Sequence, residues 1–82
     1  MFYGKIYVTL KKGVLDPQGS TVQRSLHALG YSNVAEVRIG KFMEVKLDSS
    51  SREEAARQLD EMCRRLLANP VIEDYTFEVT EV

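Results

Sequence analysis

The segment Leu66-Leu67-Ala68-Asn69-Pro70-Val71-Ile72-Glu73-Asp74-Tyr75 constrains the fold more than any other stretch, because it must end a helix, turn sharply and start a strand. Asn69 suits the left-handed position that closes a helix. Pro70 lacks an N–H and cannot continue one, so Val71 and Ile72 are redirected toward a sheet. Nothing in the segment is suited to covalent chemistry, and its residues read as holding a shape.

Upstream, Ile6, Val8 and Leu10 alternate with Lys5, Tyr7 and Thr9, the period-two pattern of a strand with one buried face. This predicts a first strand over about residues 2–11. Lys12-Gly13-Val14-Leu15 is a loop, after which Asp16 can cap a helix whose first turn accepts Pro17. Val22, Leu26 and Leu29 form that helix's apolar stripe, and Gly30 is placed to end it. Val34 to Gly40 reads as a second strand and Phe42 to Leu47 as a third, with Gly40-Lys41 as a tight hairpin between them. In the third strand Met43, Val45 and Leu47 share one face, and Phe42, Glu44 and Lys46 the other.

Ser50 and Ser51, each followed three residues later by a glutamate, offer overlapping capping boxes for a second helix. Its stripe is Ala55, Leu59, Met62, Cys63, Leu66 and Leu67. Its opposite side pairs Glu53 with Arg57, Asp60 with Arg64 and Glu61 with Arg65, each pair worth a few tenths of a kcal/mol on a solvated face. A last strand runs from about Ile72, with Tyr75, Phe77 and Val79 opposite Thr76, Glu78 and Thr80.

The order strand, helix, strand, strand, helix, strand gives an α+β class. It predicts a ferredoxin-like βαββαβ two-layer sandwich, with an antiparallel four-stranded sheet and two helices on one face. The 82 residues, 44% hydrophobic, suit one domain over residues 1–82. A domain this small buries only about 60% of its unfolded surface, so a partner subunit would help to stabilise it. Tyr3, Tyr7 and Phe42 should point to the uncovered side of the sheet, either as a partner surface or as scattered residues beside Lys5, Glu44 and Lys46.

Eleven basic and twelve acidic residues give a net charge of -1, which argues against nonspecific nucleic-acid binding. Cys63 is the only cysteine and cannot form an internal disulfide, and no Cys/His group has metal-ligand spacing. A reducing cytoplasm is the expected home. The N-terminus lacks a signal-peptide pattern, and no run of about 18 apolar residues would span a membrane.

The fold class hosts enzymes, RNA readers, sensors and assembly subunits, so the residues must choose among them. Lys11-Lys12-Gly13-Val14-Leu15 has one glycine and no arginine, unlike the anion-cradling loop of an acylphosphatase. Arg38 to Val45 is faintly similar to an RNA-recognition strand, but Met43 and Glu44 stand where small and aromatic residues are expected. His27 has no serine or acid placed to form a nucleophilic set, and Cys63 lies on an apolar stripe as a small hydrophobe. A regulatory domain binding a small molecule such as an amino acid is the alternative reading, with Lys12-Gly13 as its weak candidate loop.

Three segments read together carry more: Val8 to Gly19, Val37 to Lys41, and Leu67 to Tyr75, with Leu29-Gly30-Tyr31 ending helix one. In this order and spacing they resemble the PurS family, the small subunit of phosphoribosylformylglycinamidine synthase. The resemblance implies a role in de novo purine synthesis, where formylglycinamide ribonucleotide, glutamine and ATP give formylglycinamidine ribonucleotide. It implies no catalytic residue, cofactor or metal on this chain, since a glutaminase subunit releases ammonia and a synthetase subunit uses ATP and magnesium. The expected partners are those two subunits and a second copy of the chain, as a homodimer or higher homo-oligomer. Lys11, Lys12, Asp16, Arg38, Lys41, Asn69 and Glu73 lie in the matching segments. Of these, Lys11, Lys12, Arg38 and Lys41 join Tyr3, Tyr7 and Phe42 as partner-contact candidates, while Asp16, Asn69 and Pro70 have ready structural explanations.

Overall fold

The alternation in the first strand is realised in a computed structural model that describes residues 1–82. Strand β1 (Phe2–Leu10) is followed by helix α1 (Pro17–Ala28), strand β2 (Gly40–Leu47), helix α2 (Arg52–Met62), a π-helical turn (Cys63–Leu67) and strand β3 (Glu73–Glu81). The sheet order is β2-β1-β3, with both pairings antiparallel. β1 therefore lies in the centre, and its Phe2, Ile6 and Val8 are buried under α2 with Ala55, Leu59, Cys63 and Ala68. Met43, Val45 and Leu47 of β2 and Tyr75, Phe77 and Val79 of β3 complete that face, as their alternation predicts.

The sheet has three strands, not four. Residues 34–39 form no strand, and Gly40 and Lys41 are not a hairpin turn: they begin β2 and oppose Thr9 and Val8 of β1. The period-two pattern of residues 34–39 marks an extended chain, but extended chain becomes strand only where another strand offers partners. Here the partners are side chains. Gln23 Nε2 donates to the Ala35 carbonyl at 2.7 Å, His27 Nε2 lies 2.7 Å from the Val34 carbonyl, and the Ile39 N–H donates to Asp16 Oδ2 at 2.8 Å. A carbonyl only accepts, so His27 carries its proton on Nε2.

Nor do both helices cover the sheet. α2 packs on β3 and β1, whereas α1 packs substantially on no strand and forms an arm with residues 31–39. The radius of gyration is 16.3 Å, against about 12 Å for a compact domain of this length. The arm is internally well specified. Asp16 Oδ1 accepts from the Gly19 N–H at 2.9 Å as N-cap, and Pro17 takes the first turn. At the other end Gly30, at φ 102°, closes a Schellman motif in which the N–H of Tyr31 donates to Leu26 and that of Gly30 to His27. The Val37 carbonyl crosses so close to Gly19 that any side chain there would overlap it.

α2 begins at Ser51, whose hydroxyl accepts from the Glu54 N–H at 3.1 Å, so Ser51 and not Ser50 is the cap. Its outer face differs in one pairing. Asp60–Arg64 and Glu61–Arg65 form as expected, but Arg57 ignores Glu53 and bridges Glu54 at 2.6 Å and Glu61 at 3.1 Å. The helix then widens, with the Ala68 N–H donating to the Cys63 carbonyl at 3.0 Å, a five-residue closure. In this wider turn Leu66 lies out at 82% exposure and Ala68 enters the core, which a regular helical stripe does not anticipate. Asn69 is not left-handed, since no residue other than glycine has positive φ. It acts through its side chain instead, Oδ1 accepting from the Val71 N–H at 3.1 Å in an Asx turn.

Candidate functional site

The three sequence segments that carry the family resemblance meet at one end of the sheet, where β1 ends, the arm leaves and returns, and β3 begins. Arg38 ties the loop down there, its guanidinium donating to the carbonyls of Lys11 at 3.0 Å, Leu10 at 3.3 Å and Val14 at 3.4 Å. Lys11 Nζ donates to Asp74 Oδ1 at 2.7 Å, and the Lys11 N–H to the Ile72 carbonyl at 2.8 Å. Lys41 Nζ lies 3.3 Å from Glu73 Oε2, while Glu73 Oε1 accepts from the Asn69 N–H at 2.7 Å. Asp16, almost fully buried, joins the start of α1 to the end of the return leg through its bonds from Gly19 and Ile39.

This cluster is a polar clasp. Three of the four basic candidates, Lys11, Arg38 and Lys41, are engaged within the chain, and Lys12 alone is exposed with no ion pair or side-chain hydrogen bond. The Ile39 and Gly19 N–H groups hold the Asp16 carboxyl below its ordinary range. Likewise the Asn69 N–H, with Lys41 beside it, lowers that of Glu73. Acids held ionised in this way are fixed charges that shape a backbone, not proton donors poised near neutrality.

The open face of the sheet carries the aromatic candidates, but they do not form one cluster. Tyr7 and Phe42 are direct cross-strand partners with ring centroids 5.1 Å apart, and they are 40% and 54% exposed. Such a pair is worth about 0.5–1.5 kcal/mol beyond its area. Tyr3 sits two side chains along β1, where its hydroxyl donates to Glu44 Oε2 at 2.8 Å, a bond that raises the phenol's pKa. The register sets Lys5 between Glu44 and Glu78 in the middle of this face.

On the covered face, the place over β2 beside α2 is empty. It forms a groove of about 510 Å³ lined by Val45, Leu47, Met62 and Leu67, with Arg57 and Arg65 on its rim. Sequence patterns alone do not reveal this groove, because each lining residue reads as ordinary core; only the displacement of α1 uncovers it. Beneath α2, burial pushes the Cys63 thiol up, and Tyr75 donates to Asp60 Oδ1 at 2.6 Å, fastening β3 to the helix. His27 belongs to the arm's internal bonding. No three His, Cys, Asp or Glu side chains converge in a way that would hold a metal ion. No helix is long and apolar enough to cross a membrane.

Comparison with known proteins places these surfaces in context. The family model for PurS, described as phosphoribosylformylglycinamidine (FGAM) synthase, matches residues 4–81. The chain is 54% identical over 82 residues to the phosphoribosylformylglycinamidine synthase subunit PurS of Bacillus subtilis, covering 100% of this chain and 96% of that protein. The solved structure of B. subtilis PurS superposes with a TM-score of 0.88 at 53% identity, covering 99% of this chain and 100% of that one. A chain in the structure of PurLQS from Thermotoga maritima superposes with a TM-score of 0.86 at 27% identity, covering 98% of this chain and 99% of that one.

Proposed function

The chain belongs to the PurS family, a subunit of phosphoribosylformylglycinamidine synthase in purine biosynthesis, and from that premise we propose that it is the non-catalytic assembly subunit bridging the glutaminase and synthetase chains. The observation that carries this reading is the near end-to-end likeness to a chain of the PurLQS assembly. In the reaction the family serves, glutamine supplies ammonia, and ATP with magnesium on the synthetase activates the amide oxygen of formylglycinamide ribonucleotide. Ammonia released into water is diluted and largely protonated. A subunit that holds the two active sites in register with a sheltered path therefore preserves the nucleophile.

The chain acts as a single PurS-like domain over residues 1–82, as a cytoplasmic homodimer, with no cofactor of its own. Its contacts to the larger subunits run through Lys12 at the clasp and through Tyr7 and Phe42 on the open face. Lys11, Arg38, Lys41 and Tyr3, being held within the chain, present the surfaces around those contacts. Aromatic side chains exposed on a rigid sheet at low entropy cost are the kind of anchor that protein interfaces use.

Reconstitution tests the reading. The synthetase and glutaminase subunits are combined with and without this protein at saturating ATP and magnesium, and glutamine-dependent and ammonia-dependent amidine formation are compared. The glutamine-dependent rate is expected to require this chain, and the ammonia-dependent rate to need it far less. An unchanged glutamine-dependent rate in its absence overturns the assembly role.

A further inference from the structure

We propose that the turn Lys11–Val14, with Leu15 behind it and Val71 across from it, is a preformed docking tip that seats in an apolar hollow beside a carboxylate on one of the larger subunits, with Arg38 as its positioning residue. The inference rests on the assembly reading above and assigns the surface that makes the contact. Leu15 and Val71 are 78% and 79% exposed, and Lys12 is exposed without a partner, so none of the three serves the core. The backbone that carries them is nevertheless pinned from several sides.

The connection leaving β1 and the one entering β3 lie side by side. Leu10 opposes Glu73, and the Lys11 N–H donates to the Ile72 carbonyl at 2.8 Å, so the same antiparallel register sets Lys12 across from Val71. The chain then folds back, the Val14 N–H donating to the Lys11 carbonyl at 3.1 Å. Gly13, at φ 88°, takes the third position, which makes this a type II turn with Lys12 at its corner. Arg38 ties both ends of the turn to one side chain, Nη2 donating to the carbonyls of Leu10 and Lys11 and Nη1 to that of Val14. Buried Asp16 anchors the chain just beyond Leu15, and Asn69 Oδ1 accepts from the Val71 N–H.

A loop held in this way has already lost the freedom that binding would otherwise remove, so its side chains anchor a partner at low entropic cost. The side chains set the chemistry of the occupant. Lys11 is matched by Asp74 at 2.7 Å, Arg38 by Glu36 at 3.6 Å and Lys41 by Glu73 at 3.3 Å, which leaves Lys12 as the one base of the clasp for a partner's carboxylate. A nucleic acid or a lipid surface calls for a row of free cations, and the tip offers one. Two aliphatic side chains with a single cation at their edge match a protein surface instead, apolar at its centre and polar at its rim. Leu15 and Val71 hold the partner, and Lys12 steers it in.

Interferometry tests the tip, with the full chain in solution and the two larger subunits, mixed with ATP, magnesium and glutamine, on the sensor. Leu15→Ser combined with Val71→Ser is expected to raise the dissociation constant at least tenfold, mainly through faster release. Lys12→Glu is expected to slow association severalfold at low salt, the difference shrinking at high salt as screening rises. Val82→Ser removes a similarly exposed aliphatic side chain, 68% exposed at the far end of the sheet, and is expected to bind as the wild type does. Circular dichroism and sedimentation check that each variant keeps its fold and oligomeric state. Arg38→Ala is expected to weaken binding, and in that background Leu15→Ser should cost far less than in the wild type, because the tip is no longer presented. Equal costs in the two backgrounds overturn the positioning role. Wild-type affinity in the Leu15 and Val71 double variant, or an equal loss in Val82→Ser, overturns the tip and leaves the assembly reading standing. Unchanged association of Lys12→Glu overturns the partner carboxylate. A wild-type chain that does not bind the larger subunits overturns both the tip and the assembly reading.

Discussion

Gly4→Ala should destabilise the protein by itself and stabilise it once Leu59 has been cut back to alanine. A Cβ at Gly4 would lie 2.6 and 2.8 Å from the two terminal methyl carbons of Leu59. Leu59 is wholly buried between β1 and α2 and has no solvent into which to turn. Overpacking of this kind costs about 1–3 kcal/mol, offset by about 0.5–1 kcal/mol because alanine loses less backbone freedom than glycine in a strand. Leu59→Ala alone should cost about 2–5 kcal/mol through lost burial and the cavity left behind. In that background the alanine at position 4 meets no clash, and its methyl recovers about 0.8 kcal/mol of burial besides the backbone gain. The two changes are therefore coupled by about 2–4 kcal/mol, a large share of the roughly 4–12 kcal/mol expected for a chain of this length. Urea titration followed by far-ultraviolet circular dichroism, at fixed protomer concentration, measures all four corners of the cycle. Additivity within about 0.5 kcal/mol would refute the reasoning, since it would mean that Gly4 is not the contact that seats α2 on β1.

Three further outcomes follow from the clasp and the core. Asp16→Asn keeps an acceptor for Gly19 but loses the one for Ile39. The native Asp16 carboxyl is lowered by those two N–H groups, so its stabilisation is complete above the ordinary carboxylate pKa of about 4 and is lost as pH falls through the lower native value. Melting temperature measured from pH 6 to pH 2 should accordingly fall less steeply in the variant, and an identical slope would rule out the clasp carboxylate as a contributor. Cys63, raised by burial first and by Asp60 second, should react with an aromatic disulfide reagent far more slowly in the native protein than in urea; equal rates would mean that the α2 core opens freely. Replacing Lys11 and Lys12 together by alanine should cost no more than about 1 kcal/mol of stability, because the Lys11–Asp74 pair is exposed. The same change should weaken co-elution with the larger subunits, and unchanged co-elution would remove both lysines from the contact surface.

Much of this protein is legible in its sequence because the causes are local. Alternation in Phe2–Leu10 and Glu73–Glu81 specifies which side chains face the core whatever lies beside the strand. Asp16 with Pro17, and Ser51 with Glu54, start helices through groups only a few residues apart, and Gly30 ends one by adopting a positive φ. The family resemblance was also visible, as three spaced segments whose convergence at one clasp the sequence does not display.

What the tertiary structure decided concerns partners at a distance. Residues 34–39 carry a strand pattern but bond to Gln23, His27 and Asp16, so the sheet stops at three strands. Leu66 lies on a helical stripe until the π-helical turn at Cys63 shifts the phase and puts Ala68 into the core. Lys11, Arg38 and Lys41 look free in one dimension and prove to be occupied by Asp74, by loop carbonyls and by Glu73. Periodicity and capping report what a residue does to its own stretch of backbone. Whether a pattern finds a strand, a side chain or another molecule beside it depends on contacts between segments far apart in the chain, and only the folded arrangement supplies those.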